Sequence, residues 1–183
     1  MRFEVKDMFK RNLLTVMVAA AAVGFGGFAI NASASDGTGN ARAEIVAPIA
    51  VVENLSMNFG SVSGDSDPAN NSTVVLTTAG AVTASANAAV IPSSGARAAL
   101  FDVTGAAGAL YDITLPPDPA GVVITSGGNS MTVDNFVDSL GGSGTLSDPG
   151  GAESFNVGAR LNINGNQAVG VYLGTYTVTV TYQ

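Results

Sequence analysis

Along most of this chain apolar and polar residues alternate in twos, and the alternating stretches are broken by Gly, Pro, Asn and Asp. A period of two places successive side chains on opposite faces of a strand. The clearest stretch is "GTYTVTVTYQ": Tyr176, Val178, Val180 and Tyr182 share one face, and Thr175, Thr177, Thr179 and Thr181 the other. Just before it, in "ESFNVGARLNIN", Phe155, Val157, Ala159, Leu161 and Ile163 alternate with Ser154, Asn156, Arg160, Asn162 and Asn164. The "GNQAVG" between them predicts a tight connection, so the two strands are expected to pair as an antiparallel hairpin.

Earlier segments repeat the pattern with smaller side chains. In "ARAEIVAPIAVVEN", Ala41, Ala43, Ile45, Ala47, Ile49 and Val51 share one parity, and Arg42 and Glu44 lie opposite. Pro48 removes one backbone donor, which suits an edge strand and not a central one. Leu55, Met57 and Phe59 alternate next, before Gly60 turns the chain. "TVVLTT" predicts a short strand, and "AVTASANAAV" a weaker one with some Ala-rich ambiguity. "ALFDVTGAAG" and "LYDITLPPDPAG" read as strand, turn, strand, with Tyr111, Ile113 and Leu115 on one face. "MTVDNFV" is a further strand with an irregularity at Asp134-Asn135. "SGDSDPANNS", "IPSSGAR" and "GGSGTLSDPGG" read as loops. About eight to ten short strands without a helical period predict an all-β, immunoglobulin-like antiparallel sandwich of Greek-key type, open to completion by an N-terminal donor-type strand. Burying one large apolar side chain is worth about 1.5–3 kcal/mol, so the two closing strands alone would anchor much of the core.

The start of the chain departs from this pattern. Arg2, Lys6, Lys10 and Arg11 precede the apolar run "LLTVMVAAAAVGFGGFAI", and Ala32-Ser33-Ala34 is a small-x-small cleavage pattern. Residues 1–34 are therefore expected to be a secretory signal peptide that is removed, leaving no membrane span, with Met8 an alternative start. The "GFGGFA" within it matches a dinucleotide fingerprint but precedes no βαβ unit, so it carries no cofactor. Residues 35–52 are then a flexible Gly/Ser/Asp-rich start plus the first alternating strand, and residues 53–183 the sandwich domain. The expected location is the periplasm, the cell surface or the extracellular space.

Removal of the leader changes the charge balance. The whole chain has 7 basic and 14 acidic residues. Without the leader only Arg42, Arg97 and Arg160 remain basic, and no lysine is left. Such a surface has no basic stripe for nucleic acid or anionic lipid. Cysteine and histidine are absent throughout. That excludes Ser-His-Asp and Cys-His catalysis and His/Cys zinc sites, and the missing lysine excludes Schiff-base chemistry. The remaining carboxylates sit mostly in loops, where turn formation accounts for them, so no enzymatic activity, catalytic residue or cofactor is expected. Asp65, Asp67, Asn70 and Asn71 could gather around calcium, but the spaced ligand framework of a calcium loop is missing, and a solvated turn is the expected reading.

Four segments together carry a resemblance: "IVAPIAVVENLSMNFGSV", "ALFDVTGAAGALYDITLP", "FNVGARLNI" and "GVYLGTYTVTVTYQ". In these the mature chain resembles the bacterial domain-of-unknown-function family numbered 4402, which has no established activity. The last motif also looks like that of spore-coat-U-like and chaperone–usher fimbrial subunit domains. This wider resemblance implies an incomplete sandwich, completed by the N-terminal extension of a neighbouring subunit after a periplasmic chaperone has held it. The cysteine pair common in those subunits is absent here. Two functions follow as expectations. One is a non-enzymatic structural protein of the bacterial surface, pilus- or coat-like, with other copies of itself or related subunits as partners through strand addition. The other is a self-contained monomeric sandwich that binds a ligand or decorates the envelope. The residues expected to mediate strand pairing are Ala41, Ala43, Ile45, Ala47, Ile49 and Val51 at one end, and Tyr176, Val178, Val180 and Tyr182 at the other.

Overall fold

A computed structural model describes residues 34–85, 87–91 and 95–183. The expected signal peptide lies, but for Ala34, outside the described residues. Residues 43–183 form one compact unit. Every strand pairing is antiparallel. The strands are β1 (Ala50–Leu55), β2 (Val62–Ser63), β3 (Ser72–Leu76), β4 (Val82–Ala84), β5 (Ala89–Val90) and β6 (Ala99–Thr104), followed by β7 (Leu110–Thr114), β8 (Val122–Ser126), β9 (Asn129–Asp138), β10 (Ser143–Thr145), β11 (Ala152–Ile163) and β12 (Thr179–Tyr182). The fold is all-β, and no helix occurs among the described residues.

The long strand β11 organises the larger sheet. Val157 pairs with Ala99 of β6 and with Asp138 of β9, so β6 and β9 lie on opposite sides of it. Leu161 pairs with Val74 of β3 and Val133 of β9, which puts β3 on the same side as β6, further along. The sheet therefore has two tiers. In the lower tier β1 and β6 flank the first half of β11; in the upper, β4 and β3 flank the second half, with β9 and β8 opposite.

The inward face of β11 follows its sequence parity, with Phe155, Val157, Ala159, Leu161 and Ile163 all buried. The tiers divide these residues between two cores. Phe155 and Val157 join Phe101 and Val103 of β6 against Tyr111 and Ile113 of β7 and Val180 of β12. This lower core is closed by a second sheet, ordered β10-β7-β12. Ala159, Leu161 and Ile163 join Val74, Met131 and Val133 in the upper core.

A bulge decides how the tiers communicate. Between Val137↔Gly158 and Asp134↔Arg160, β9 uses one residue more than β11, and Asn135 takes a φ of 48° there. An extra residue in a period-two strand reverses its parity. Met131 and Val133 point inward before the bulge, and Phe136 packs against both cores after it. The irregularity expected at Asp134-Asn135 is this bulge. A second register shift, between Glu53 and Leu55, leaves Leu55 48% exposed, so it does not share an inward face with Met57 and Phe59.

Two expected pairings are corrected. The predicted final hairpin does not form: β11 pairs with β3, β6 and β9, whereas β12 pairs with β7, from Thr179↔Thr114 to Tyr182↔Tyr111. The fifteen residues between Ile163 and Thr179 are too many for a tight turn, and they carry the chain from the larger sheet to the smaller. The first strand also begins late. It spans Ala50–Leu55, while residues 41–47 are exposed and outside any strand. The β8–β9 hairpin, turned at Gly127 (φ 59°) and Gly128, and the short strand β10 inside a glycine-rich loop are not in the sequence expectation.

Candidate functional site

The second sheet roofs only the lower tier. Above the upper core the roof consists of residues 56–66, which include the two-residue strand β2, and the irregular segment 166–176, and between them lies a cleft of about 910 Å³. Leu161 and Ile163 of β11, Met131 and Val133 of β9 and Ile124 of β8 form its apolar floor. The 166–176 wall is anchored on its far side by a single bridge, whereas the 56–66 wall is held both by a bridge and by β2, which pairs with β5 at Val62↔Val90 and Ser63↔Ala89. Leu173 exchanges main-chain hydrogen bonds with Thr125 at 2.9 and 3.0 Å, and Asn58 does so with Arg97 at 2.9 and 2.8 Å. One end of the cleft is closed where the Asn166 N–H donates to the Asp65 carbonyl at 2.8 Å. No other main-chain hydrogen bond joins the two walls among the described residues.

Local sequence explains why the 166–176 wall is not a strand of a ladder. Gly170 and Gly174 interrupt it, Gly165 precedes it, and Asn166 adopts a φ of 55°. A Cβ on Gly174 would lie 2.8 Å from the Val123 carbonyl oxygen, so only glycine lets this wall approach β8 so closely. Between the glycines Val169, Val171 and Leu173 share one parity and point outward, at 106, 77 and 72% exposure. These three exposed aliphatics at strand spacing border the cleft.

The closing motif borders this cleft. Its alternation is realised in full: Tyr176, Val178 and Tyr182 are half-buried, Val180 is buried, and all four pack on the lower core. Only Thr179–Tyr182 have a ladder partner, however, and residues 174–178 precede β12 without one. Tyr176 wedges between the tiers, its ring 5.1 Å from Phe136 and 6.2 Å, edge-on, from Phe101. Its hydroxyl is buried without a hydrogen-bond partner. Burial first, and the charge of Glu53 second, push that phenol above its ordinary ionisation range, so it stays neutral.

The N-terminal candidates divide. Ile49 and Val51 are half-buried against the lower core. Ala41, Ala43, Ile45 and Ala47 are exposed, Ile45 to 98%. The expected cover of β12 by this segment is not a ladder, because β1 pairs only with β6. One polar clasp replaces it: the Tyr182 hydroxyl donates to the Ala47 carbonyl at 2.8 Å and accepts from the Ala106 N–H at 2.6 Å. β1 and β12 are therefore both edge strands, held near each other at the lower end of the molecule.

The polar side chains serve structure. In the 65–71 loop, Asp65 accepts from the Asp67 N–H at 2.8 Å and from Asn70 Nδ2 at 3.1 Å, and Asp67 accepts from the Ala69 N–H at 2.9 Å. These are turn-forming bonds of the kind expected of such residues. On the outer face, Arg160 Nε and Nη2 donate to the two carboxylate oxygens of Asp134 at 2.8 and 3.0 Å. That fork, bidentate and partly buried, holds the Asp134 carboxyl below its usual range. No group of three potential metal ligands occurs among the described residues.

An all-β domain with an open cleft over the upper of its two cores is the class of protein that this geometry defines. Residues 49–182 match the model of a domain of unknown function, DUF4402, and the chain belongs to that family. The match begins at Ile49, so the exposed residues 41–48 precede the family domain. No curated protein and no solved structure matches the chain.

Proposed function

We propose that this protein is a non-enzymatic structural protein of the bacterial cell surface, exported by its leader and assembled through strand addition in the manner of a pilus- or coat-like subunit. The observation that carries the reading is the unroofed upper core, a cleft whose two walls share only the Asn166–Asp65 main-chain hydrogen bond among the described residues and whose floor is Leu161, Ile163, Met131, Val133 and Ile124. An added strand supplies main-chain hydrogen bonds along such walls and places alternate side chains in the floor. The absence of histidine and cysteine, together with carboxylates engaged in turns and a salt bridge, supports a role without catalysis. A periplasmic chaperone fits the same reading as the partner that covers the cleft before assembly.

The test is the state of association of the mature chain. Purified from Ser35 onward and concentrated, it should form concentration-dependent oligomers in sedimentation velocity, with elongated particles by electron microscopy. A particle that stays a compact monomer at every concentration would sink the structural reading. It would favour the second one, a monomeric sandwich that binds a ligand. The volume of the cleft is the observation behind that alternative, since about 910 Å³ lies within the range of small-molecule sites.

A further inference from the structure

We propose that the cleft over the upper core is a site for one free long-chain fatty acid, with the alkyl chain on its floor and the carboxylate on Arg97. This rests on the ligand-binding reading of the cleft, not on strand addition, and gives that reading its ligand class.

The two walls give the cleft a direction. Residues 56–66 continue from β1 and finish beside Asp65, while residues 166–176 start at Asn166 and finish at Tyr176. The Asn166–Asp65 hydrogen bond therefore closes the end where one wall finishes and the other starts. At the other end stand Ser56, next to β1, and Tyr176, whose ring meets Phe136 and Phe101 where the tiers join. An elongated molecule can lie only along this line.

Charge makes the two ends unlike. Arg97 and Asp65 are the charged residues in the lining. Asp65 belongs to the closed end, and its two carboxylate oxygens accept from the Asp67 N–H and from Asn70 Nδ2. Arg97 belongs to the end where the tiers join, because it bridges Asn58 and its Nε donates to the Ser56 carbonyl at 3.1 Å. The salt bridge among the described residues is Asp134–Arg160, and Arg97 has no carboxylate partner there. Its two terminal nitrogens keep the fork that takes a carboxylate in bidentate fashion. A carboxylate is thus repelled at one end of the cleft and attracted at the other.

The floor sets the length of the chain. It runs along β11 from Ile163 to the level of Phe136, beside the Val137↔Gly158 pair. At about 3.3 Å per residue that is roughly 16 Å. One acyl chain fills half of a bilayer's hydrocarbon core of about 30 Å, or roughly 15 Å. Met57, Phe59 and Tyr172, packed against the upper core, add apolar flanks. The source is the free acid and not a membrane surface: without its leader the chain has only Arg42, Arg97 and Arg160 as cations, too few to hold anionic lipid.

Isothermal titration of the dilute, monomeric mature chain, with each acid below its micelle concentration, tests this. Octanoate, decanoate and dodecanoate should bind in a one-to-one ratio, about tenfold tighter for each two methylenes added. Arg97→Ala, at an exposed position, should melt as the parent does and bind decanoate at least about threefold more weakly. Arg97→Gln, which keeps a side-chain donor, gives the same readout if R97A is less stable. Decanol, which has no charge, should bind parent and variant alike. An affinity indifferent to chain length overturns the proposal, as does a chain that sediments with vesicles of anionic phospholipid and ignores the free acids. Decanoate bound equally by the parent and both variants overturns the carboxylate on Arg97 and leaves an apolar-ligand site standing. A monomer that takes up neither acid nor alcohol overturns the ligand reading as a whole, whatever the chain does on concentration.

Discussion

Two side chains show how much single groups matter here. The Tyr176 hydroxyl is buried with no partner, an arrangement that costs free energy without return in the isolated chain. Tyr176→Phe should therefore raise stability by about 1 kcal/mol, read as a higher urea midpoint at unchanged slope. The Asp134–Arg160 fork sets a pH dependence. Because the folded-state carboxyl of Asp134 is depressed, its stabilisation is complete above the unfolded carboxylate range of about pH 4 and is lost as the pH falls through the lower folded value. Asp134→Asn, which cannot titrate, should lose less stability than the parent between neutral pH and pH 2–3. Thermal melts across that range check it. A larger acid loss in the variant would show that the fork does not set the dependence.

Among the elements, β11 is the one both cores share. Its sequence alternation made its inward face legible, because a strand that packs on one side must alternate. What alternation leaves open is the partner. Val157 and Leu161 are equally apolar, yet one meets a complete second sheet and the other an open cleft. Gly158 sits between them, opposite the bulge of β9, and a Cβ there would run into the backbone of Leu76 and Thr77. Gly158→Val should cost more than about 2 kcal/mol, or prevent folding, because the obstacle is main chain and cannot rotate away. Soluble yield and urea unfolding measure this; a variant as stable as the parent would show that β3 gives way at little cost. The β8–β9 hairpin has a sequence signal, two glycines between two β-branched stretches. The strand β10 had none, since "SGT" in a glycine-rich loop pairs only because β7 offers it an edge.

At the scale of the whole molecule, two cores of unequal closure should open unequally. Amides of β6, β7 and the first half of β11 are expected to exchange at rates near global unfolding. Those of residues 167–176, bound to the rest through one bridge and exposed aliphatics, should exchange orders of magnitude faster. Hydrogen exchange on the monomeric chain separates these cases, and uniform protection would mean that the upper core is as closed as the lower. In the assembled state the same residues should gain protection, because a strand in the cleft would pair with them.

The sequence alone determined the strand character, the inward parity of β11, β7 and the closing motif, and the exclusion of histidine- or cysteine-based chemistry. These are local properties: side-chain direction repeats every two residues, and composition needs no fold. It also marked residues 41–51 as an apolar alternating stretch, but could not tell that Ile49 and Val51 would be kept at home while Ala41–Ala47 would be left outside. Only the tertiary structure decided that, and decided that β12 pairs with β7 and not with β11. Pairing is settled by which edges meet after crossovers between sheets, and a period of two is blind to the identity of the neighbour. The cleft is a property of the same kind. It exists because the second sheet is shorter than the long strand it covers, and no single residue records that difference.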